Sequence, residues 1–295
     1  MHNYMIRFFI ITLLFFCSIN KSFAQTDTII IDGVEVIRDA EYEIPKEPKK
    51  SFFKKLNART NLKKWETQYL LLDIGFSNFN DRTDYTNVEA QSFAPNANPS
   101  WMKLRTLRST NINLWLVGQR VSIVNNIANI KYKLGVEFNN YRFKQPIRFQ
   151  KNNTAINNEA ILYLDEKAIG NNPSITYKKN KLAAEYVTVP LLLHFNLTPH
   201  RLYNLGVSAG ISAGYLLSSR NKFINSESGK KKIKDDFELD PWKIAYVGEL
   251  ELGVVTLYGS YAPKSMFKRG LDIMPYNVGF RVNPAGIFNK INFEK

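Results

Sequence analysis

Eight segments of about ten to fifteen residues alternate apolar and polar side chains, and nothing else in the chain narrows its possible folds so sharply. They lie near 68–79, 110–124, 129–143, 183–197, 203–218, 241–252, 254–263 and 273–283. A period of two marks β-strands whose two faces meet different surroundings. The connectors are alternately long and short. About 30 residues follow the first strand, about 40 the third and about 20 the fifth, whereas Asn125-Asn126, the link through Pro199 and His200, and Gly253 make short turns. A medium loop around Met266–Asp272 precedes the last strand. Long connectors thus gather at one end, and an even strand count returns both termini to the short-turn end. The expected fold class is all-β: an eight-stranded antiparallel up-and-down transmembrane β-barrel with a short N-terminal periplasmic leader.

The third strand sets Ile130, Tyr132, Leu134, Val136 and Phe138 against Lys131, Lys133, Gly135 and Glu137. The fourth sets Val187, Val189, Leu191, Leu193 and Phe195 against Thr188, Pro190, Leu192, His194 and Asn196. In the fifth, Gly206, Ser208, Gly210, Ser212 and Gly214 form the small face. A soluble up-and-down barrel turns its apolar face inward. The small and charged opposite face, with the export signal below, favours the reverse: apolar side chains toward lipid and polar ones in a narrow lumen. Strand by strand, this phase places Asp73, Lys131, Lys133, Glu137, Lys243, Glu249, Glu251 and Arg281 in the lumen, four acids and four bases, as a cross-lumen charge network. Trp65, Tyr69, Tyr141, Trp242 and Tyr276, with Tyr186 and Tyr261, are the expected interfacial anchors.

The N-terminus reads as an export signal over residues 1–24. Arg7 supplies the positive charge, residues 8–17 the apolar stretch, and Ser22-Phe23-Ala24 a small-residue cleavage site before Gln25. Cys17, the one cysteine, falls inside this segment behind the bulky Phe16, so the mature chain has no disulfide, thiol nucleophile or cysteine metal site. Residues 25–65 form the periplasmic leader: a short strand or hairpin around Asp32-Gly33, then a lysine-rich tether with Pro45 and Pro48. Its Ser51–Trp65 stretch reads equally as an interfacial helix and as a solvated linker. The barrel occupies 66–285 and a tail 286–295. A net charge of +14 would ordinarily suggest nucleic acid, but export points instead to anionic lipid or polysaccharide.

Other motifs carry little chemistry. Gly206, Gly210 and Gly214 have helix-dimer spacing, but the interleaved Ser208 and Ser212 mark a strand. Gly229-Lys230-Lys231-Lys232 lacks the flanks of a phosphate loop, and Asp235, Asp236, Glu238 and Asp240 lack calcium-loop spacing. No metal site and no cofactor is expected. His194, beside the serines of the next strand, is the one catalytic candidate. Its inward phase makes it a polar filler, because an envelope-lipid enzyme needs its histidine within reach of an acyl chain.

Several stretches together resemble the PorT-like family of small outer-membrane β-barrels of Bacteroidota. They are Asn139-Asn140-Tyr141-Arg142-Phe143, residues 185–193 (EYVTVPLLL), residues 209–215 (AGISAGY), Tyr258-Gly259-Ser260-Tyr261 and Asn277-Val278-Gly279-Phe280-Arg281. The resemblance covers about residues 65–285 and implies an eight-stranded barrel, with some members linked to protein secretion or gliding. It brings no catalytic residues. The expectation is a non-enzymatic scaffold or interaction component in the outer membrane of a Gram-negative bacterium, both termini periplasmic. Its expected partners are outer-membrane lipid and a protein met through the leader or the outer loops. A narrow channel or transport accessory is the alternative, then an envelope-lipid-modifying enzyme.

Overall fold

Strands form where the alternation is strongest, and in the computed structural model those that begin near 68, 183 and 203 run well beyond the sequence-based limits. The structure describes residues 30–31, 34–35, 64–151, 160–170, 173–198 and 205–282. Contacts divide the chain into two compact units, Met1–Phe52 and Phe53–Lys295. In the first, β1 (Ile30–Ile31) pairs antiparallel with β2 (Val34–Glu35), as the expected hairpin about Asp32-Gly33 requires. The signal segment with Cys17 and Gln25, the lysine-rich tether, His200 and the tail lie outside the described residues.

The second unit runs β3 (Trp65–Asp81), α1 (Val88–Phe93), β4 (Thr110–Val124), β5 (Ala128–Arg142), β6 (Ile147–Phe149), β7 (Leu162–Leu164), β8 (Tyr177–Asn196), β9 (Leu205–Asn225), β10 (Gly229–Lys234), β11 (Trp242–Leu252), β12 (Val255–Tyr261) and β13 (Ile273–Val282). Its main sheet is antiparallel and nine-stranded, in the order β10-β9-β11-β12-β13-β3-β4-β5-β8. An additional β8–β9 pairing joins the two sides, so eight strands pair in a ring and β10 lies on the upper part of β9. Asn125 and Asn126 take φ of 41° and 58°, and Gly253 takes 72°, the left-handed conformations of two-residue hairpin turns.

Three strands slip phase: β3, β4 and, at Leu217, β9, where the ladder to β8 steps from Tyr186↔Leu216 to Glu185↔Ser218. Leu70 (φ 54°) stands unpaired between Tyr69↔Val117 and Leu71↔Trp115, and Leu116 is skipped opposite Gly135 and Leu134. These bulges turn Tyr69 and Leu70 outward in succession, 69% and 67% exposed. They also bring Glu66, Gln68, Gly118 and Arg120 onto the inner face below. On β8, Pro190 has no amide hydrogen, and the β5 ladder accordingly skips from Tyr132↔Leu191 to Gly135↔Thr188.

The long connectors differ from expectation. The 219–240 stretch is not a loop: β9 continues to Asn225 and returns as β10. The slip at Leu217 exchanges the faces of β9, so that Ser219, Asn221, Phe223 and Asn225 turn inward and are buried. Residues 80–109 contain α1, whose N-terminus is capped by the Asn87 side chain accepting from the Glu89 amide at 3.0 Å. Residues 145–181 contain the β6–β7 hairpin. These connectors carry an apolar core of their own. Phe93, Trp101, Met102, Phe143, Ile147, Phe149, Ile161, Leu162, Phe237, Phe267 and Ile273 cluster there, buried. Phe149 packs on Phe143, Phe237 and Phe267 at centroid distances of 5.9, 5.4 and 6.4 Å. The long-connector mouth of the ring is therefore capped.

Candidate functional site

The inner face is built in layers from the short-turn end to this cap. Inward glycines make room for its large members. Gly75 and Gly279 face each other across β3 and β13, and the Tyr258 ring lies over both. A Cβ on either would come within 2.7 Å of the Tyr258 Oη. Gly135 likewise leaves space for the Trp115 indole, which a Cβ would meet at 2.8 Å. The small face of the sequence is thus the complement of a few bulky lumen residues.

At the short-turn end, Arg120 pairs with Glu66 and Lys131 with Glu251, around an open cleft of about 110 Å³. One layer deeper, Arg281 Nε and Nη2 donate to the two carboxylate oxygens of Asp73 at 2.6 and 2.9 Å. The same Nη2 reaches Glu249 at 3.0 Å, and Lys133 pairs with Glu249 from the other side. Trp115 Nε1 donates to Asp73 at 2.7 Å, and the Lys133 ammonium sits 4.8 Å from that indole. Bidentate geometry of this kind holds a guanidinium in one orientation.

Above comes an amide layer. Glu137 pairs with Lys243 and accepts from Asn139, Asn277 and Thr188 at 2.9, 3.1 and 3.3 Å. Asn111 donates to Asn139 and to Asn113, both at 2.9 Å, and accepts from Tyr258. Ser77 bridges Asn139 and Asn277. Lys243 lies 4.9 Å from the Tyr186 ring, where the polar lumen passes into the apolar cap.

All eight residues assigned to the lumen stand there, each in an ion pair with another of the eight. Asn277 shares the phase of Arg281, whereas Trp115, Tyr258, Asn111, Asn113, Asn139 and the pair Glu66–Arg120 lie outside the expected set. The alternation Asn111-Ile112-Asn113-Leu114-Trp115 carried the signal for some of them. Only the bulges bring in Glu66 and Arg120. Among the expected anchors, Trp65, Tyr69 and Trp242 point outward and are well exposed, and Tyr276 is half-buried. Tyr141 and Tyr186 are corrections: they are 2% and 3% exposed inside the cap core. The phase that sends Phe138 outward turns Tyr141 inward, so neither reaches an outer surface.

His194 is buried at 1% exposure, its Nδ1 3.0 Å from Ser208 Oγ and its Nε2 3.7 Å from Glu251. Ser208, at 2%, also lies within 3.4 Å of the Lys131 ammonium. Among the described residues no group of three or more histidine or acidic side chains is placed to hold a metal ion.

The outer face of the ring is apolar on strand after strand. Leu72, Ile74 and Phe76 on β3, Val189, Leu191, Leu193 and Phe195 on β8, Val207, Ile211 and Leu217 on β9, and Val278 and Phe280 on β13 are all exposed. Scattered exposed apolar residues are ordinary; contiguous bands of this extent are not.

The chain is similar to the solved structure of Ail, the attachment invasion locus protein of Yersinia pestis, at 12% identity and a TM-score of 0.29, over 72% of this chain and 96% of that one. A structure of the same protein in complex with the heparin analogue sucrose octasulfate matches at 12% identity and a TM-score of 0.28, over 73% and 99%. No curated protein matches. Residues 109–262 match the family model described as outer membrane protein beta-barrel domain, which is just over half of the chain, and the protein belongs to that family.

Proposed function

We propose that the protein is an eight-stranded transmembrane barrel of the outer membrane that acts as a non-enzymatic, membrane-anchored scaffold or interaction component. One observation carries the reading: an apolar outer band surrounds a lumen filled by paired charges and closed by an apolar cap. A barrel of eight strands has an interior just wide enough for side chains. The cleft at the short-turn end stops at the Arg281 layer, where the residual space is about 30 Å³, room for a water or two but no solute path. What such a barrel offers is surface. The cap, packed on its own apolar core, presents an epitope outside, and the leader reaches a periplasmic partner, for example in a secretion or envelope complex.

Burial of His194 and Ser208 in the crowded lumen supports the absence of catalysis, since no acyl chain reaches them. Within the family we place the chain among the PorT-like barrels of Bacteroidota, on the stretches that resemble them.

Planar-bilayer recording on the refolded chain tests the plugged lumen. Conductance indistinguishable from bare bilayer is expected, and discrete reproducible openings would favour the narrow-channel alternative. Cross-linked complexes pulled from detergent-solubilised outer membranes, with and without residues 25–65, test the scaffold role. Loss of a stoichiometric partner with the leader is the expected result.

A further inference from the structure

Above the apolar band, four cations stand side by side on the outer face, one on each of four consecutive strands. Arg142 of β5 pairs directly with Lys181 of β8, Lys181 with Lys222 of β9, and Lys222 with Lys232 of β10. Like charges directly opposite one another in a sheet are destabilising, and here three such juxtapositions occur in succession. Lys179, Lys230, Lys234, Arg105 and Arg108 surround the row. The nearest acid in register, Glu185, is taken by Arg220. Among the described residues no carboxylate pairs with any of the four. Lys181 bonds only to Asn140, and Arg142 donates to the Lys178 carbonyl at 2.8 Å. Burial and the neighbouring Lys179, Lys222, Arg220 and Arg142 push the Lys181 ammonium down to about 8, so the row is under repulsion that an anion would relieve.

Position selects the anion. Along β8, Lys181 stands six residues beyond Val187, and along β9, Lys222 stands five beyond the exposed Leu217. Along β5, Arg142 stands four beyond the outward Phe138. At about 3.3 Å per residue and a tilt near 45°, the row lies roughly 9–14 Å above the last lipid-facing side chain of each strand. A phospholipid headgroup layer is only about 5–8 Å deep on each side. The row is thus too high for phospholipid phosphates, and it is continuous with the lipid-facing band of the same strands. At about 4.8 Å between strands it spans roughly 14 Å, the width of a small phosphorylated saccharide.

We propose that the row Arg142–Lys181–Lys222–Lys232 binds the phosphates of a saccharide headgroup belonging to an outer-leaflet glycolipid, whose acyl chains lie on the apolar band below. This inference rests on the membrane-spanning reading above and names the lipid that surrounds it.

The test uses the refolded full chain in neutral detergent, titrated with lipopolysaccharide, with dephosphorylated lipopolysaccharide and with heparin as a soluble polyanion. Each cation near a charged headgroup contributes about fivefold in affinity, so Lys181→Gln/Lys222→Gln/Lys232→Gln should bind lipopolysaccharide roughly 100-fold more weakly. Lys64→Gln, at the opposite end of the ring, should bind like the unaltered chain, which in turn should lose affinity for the dephosphorylated lipid. If the triple variant does not refold, Lys222→Gln alone should lose about fivefold. Equal binding by the variants overturns the assignment. So does heparin that binds as tightly as the lipid and depends on the same lysines, because the occupant is then a soluble glycan. Flotation with phosphatidylcholine vesicles keeps the two readings apart: failure of every version to float counts against membrane insertion itself, irrespective of the row.

Discussion

Arg281 and Leu134 sit on opposite faces of the same sheet, and their substitution costs have opposite origins. Arg281 neutralises Asp73 and Glu249 together, at 7% exposure. Removing it strands the buried Asp73 carboxylate, while Glu249 keeps Lys133, and breaking a buried pair costs about 3–5 kcal/mol. In urea unfolding from lipid vesicles, Arg281→Ala should be destabilised by that order, whereas Lys231→Ala on the exposed β10 should change little. Leu134 faces outward on β5, so Leu134→Arg should cost about 2–4 kcal/mol in vesicles, as an arginine does at the bilayer midplane. A silent Leu134→Arg would show that the outer face meets water. Both residues were assigned correctly from alternation alone, because a strand offers each side chain only two directions.

At the scale of elements, the cap was the least legible part. Phe93, Phe149, Ile161, Phe237 and Phe267 come from five separate stretches of chain, none with a sustained period. Their meeting depends on how far β8, β9 and β10 rise beyond the band. Phe149 is fully buried, so Phe149→Ala should cost about 3–5 kcal/mol, as other large-to-small changes in well-packed cores do. The cost should fall on the cap. Backbone hydrogen exchange should quicken at Phe93, Leu162 and Leu239 while the amides of Asp73, Val136 and Glu249 keep their protection. Uniform loss of protection would mean that cap and ring unfold as one unit. The bulges at Leu70 and Leu116 were equally hidden, since a phase slip is a cooperative adjustment of two paired strands and leaves no mark in either strand alone.

Across the whole molecule, asymmetry of the two ends predicts sidedness. The hairpin tip at Ser228 lies on the long-connector end and the Asn125-Asn126 turn on the other. In intact cells a membrane-impermeant maleimide should label Ser228→Cys and leave Asn126→Cys unlabelled until the outer membrane is permeabilised. The reverse pattern would invert the topology and put the cation row in the periplasm.

The sequence by itself pointed to eight strands that pair in a ring, the direction of most of their side chains, the short turns and the inward charges. All of these follow from local rules: alternation, left-handed turn residues, and the cost of leaving an ionised group unpaired away from water. Tertiary structure decided what depends on register between strands distant in sequence. The partner of each lumen charge is one such feature, as are the phase slips, the burial of Tyr141 and Tyr186 and the apolar cap. So is the alignment of Arg142, Lys181, Lys222 and Lys232, four residues spread over 91 positions that become neighbours only when the pairings of β5, β8, β9 and β10 are set. A period of two says which way a side chain points; only the hydrogen-bonded ladder says what stands beside it.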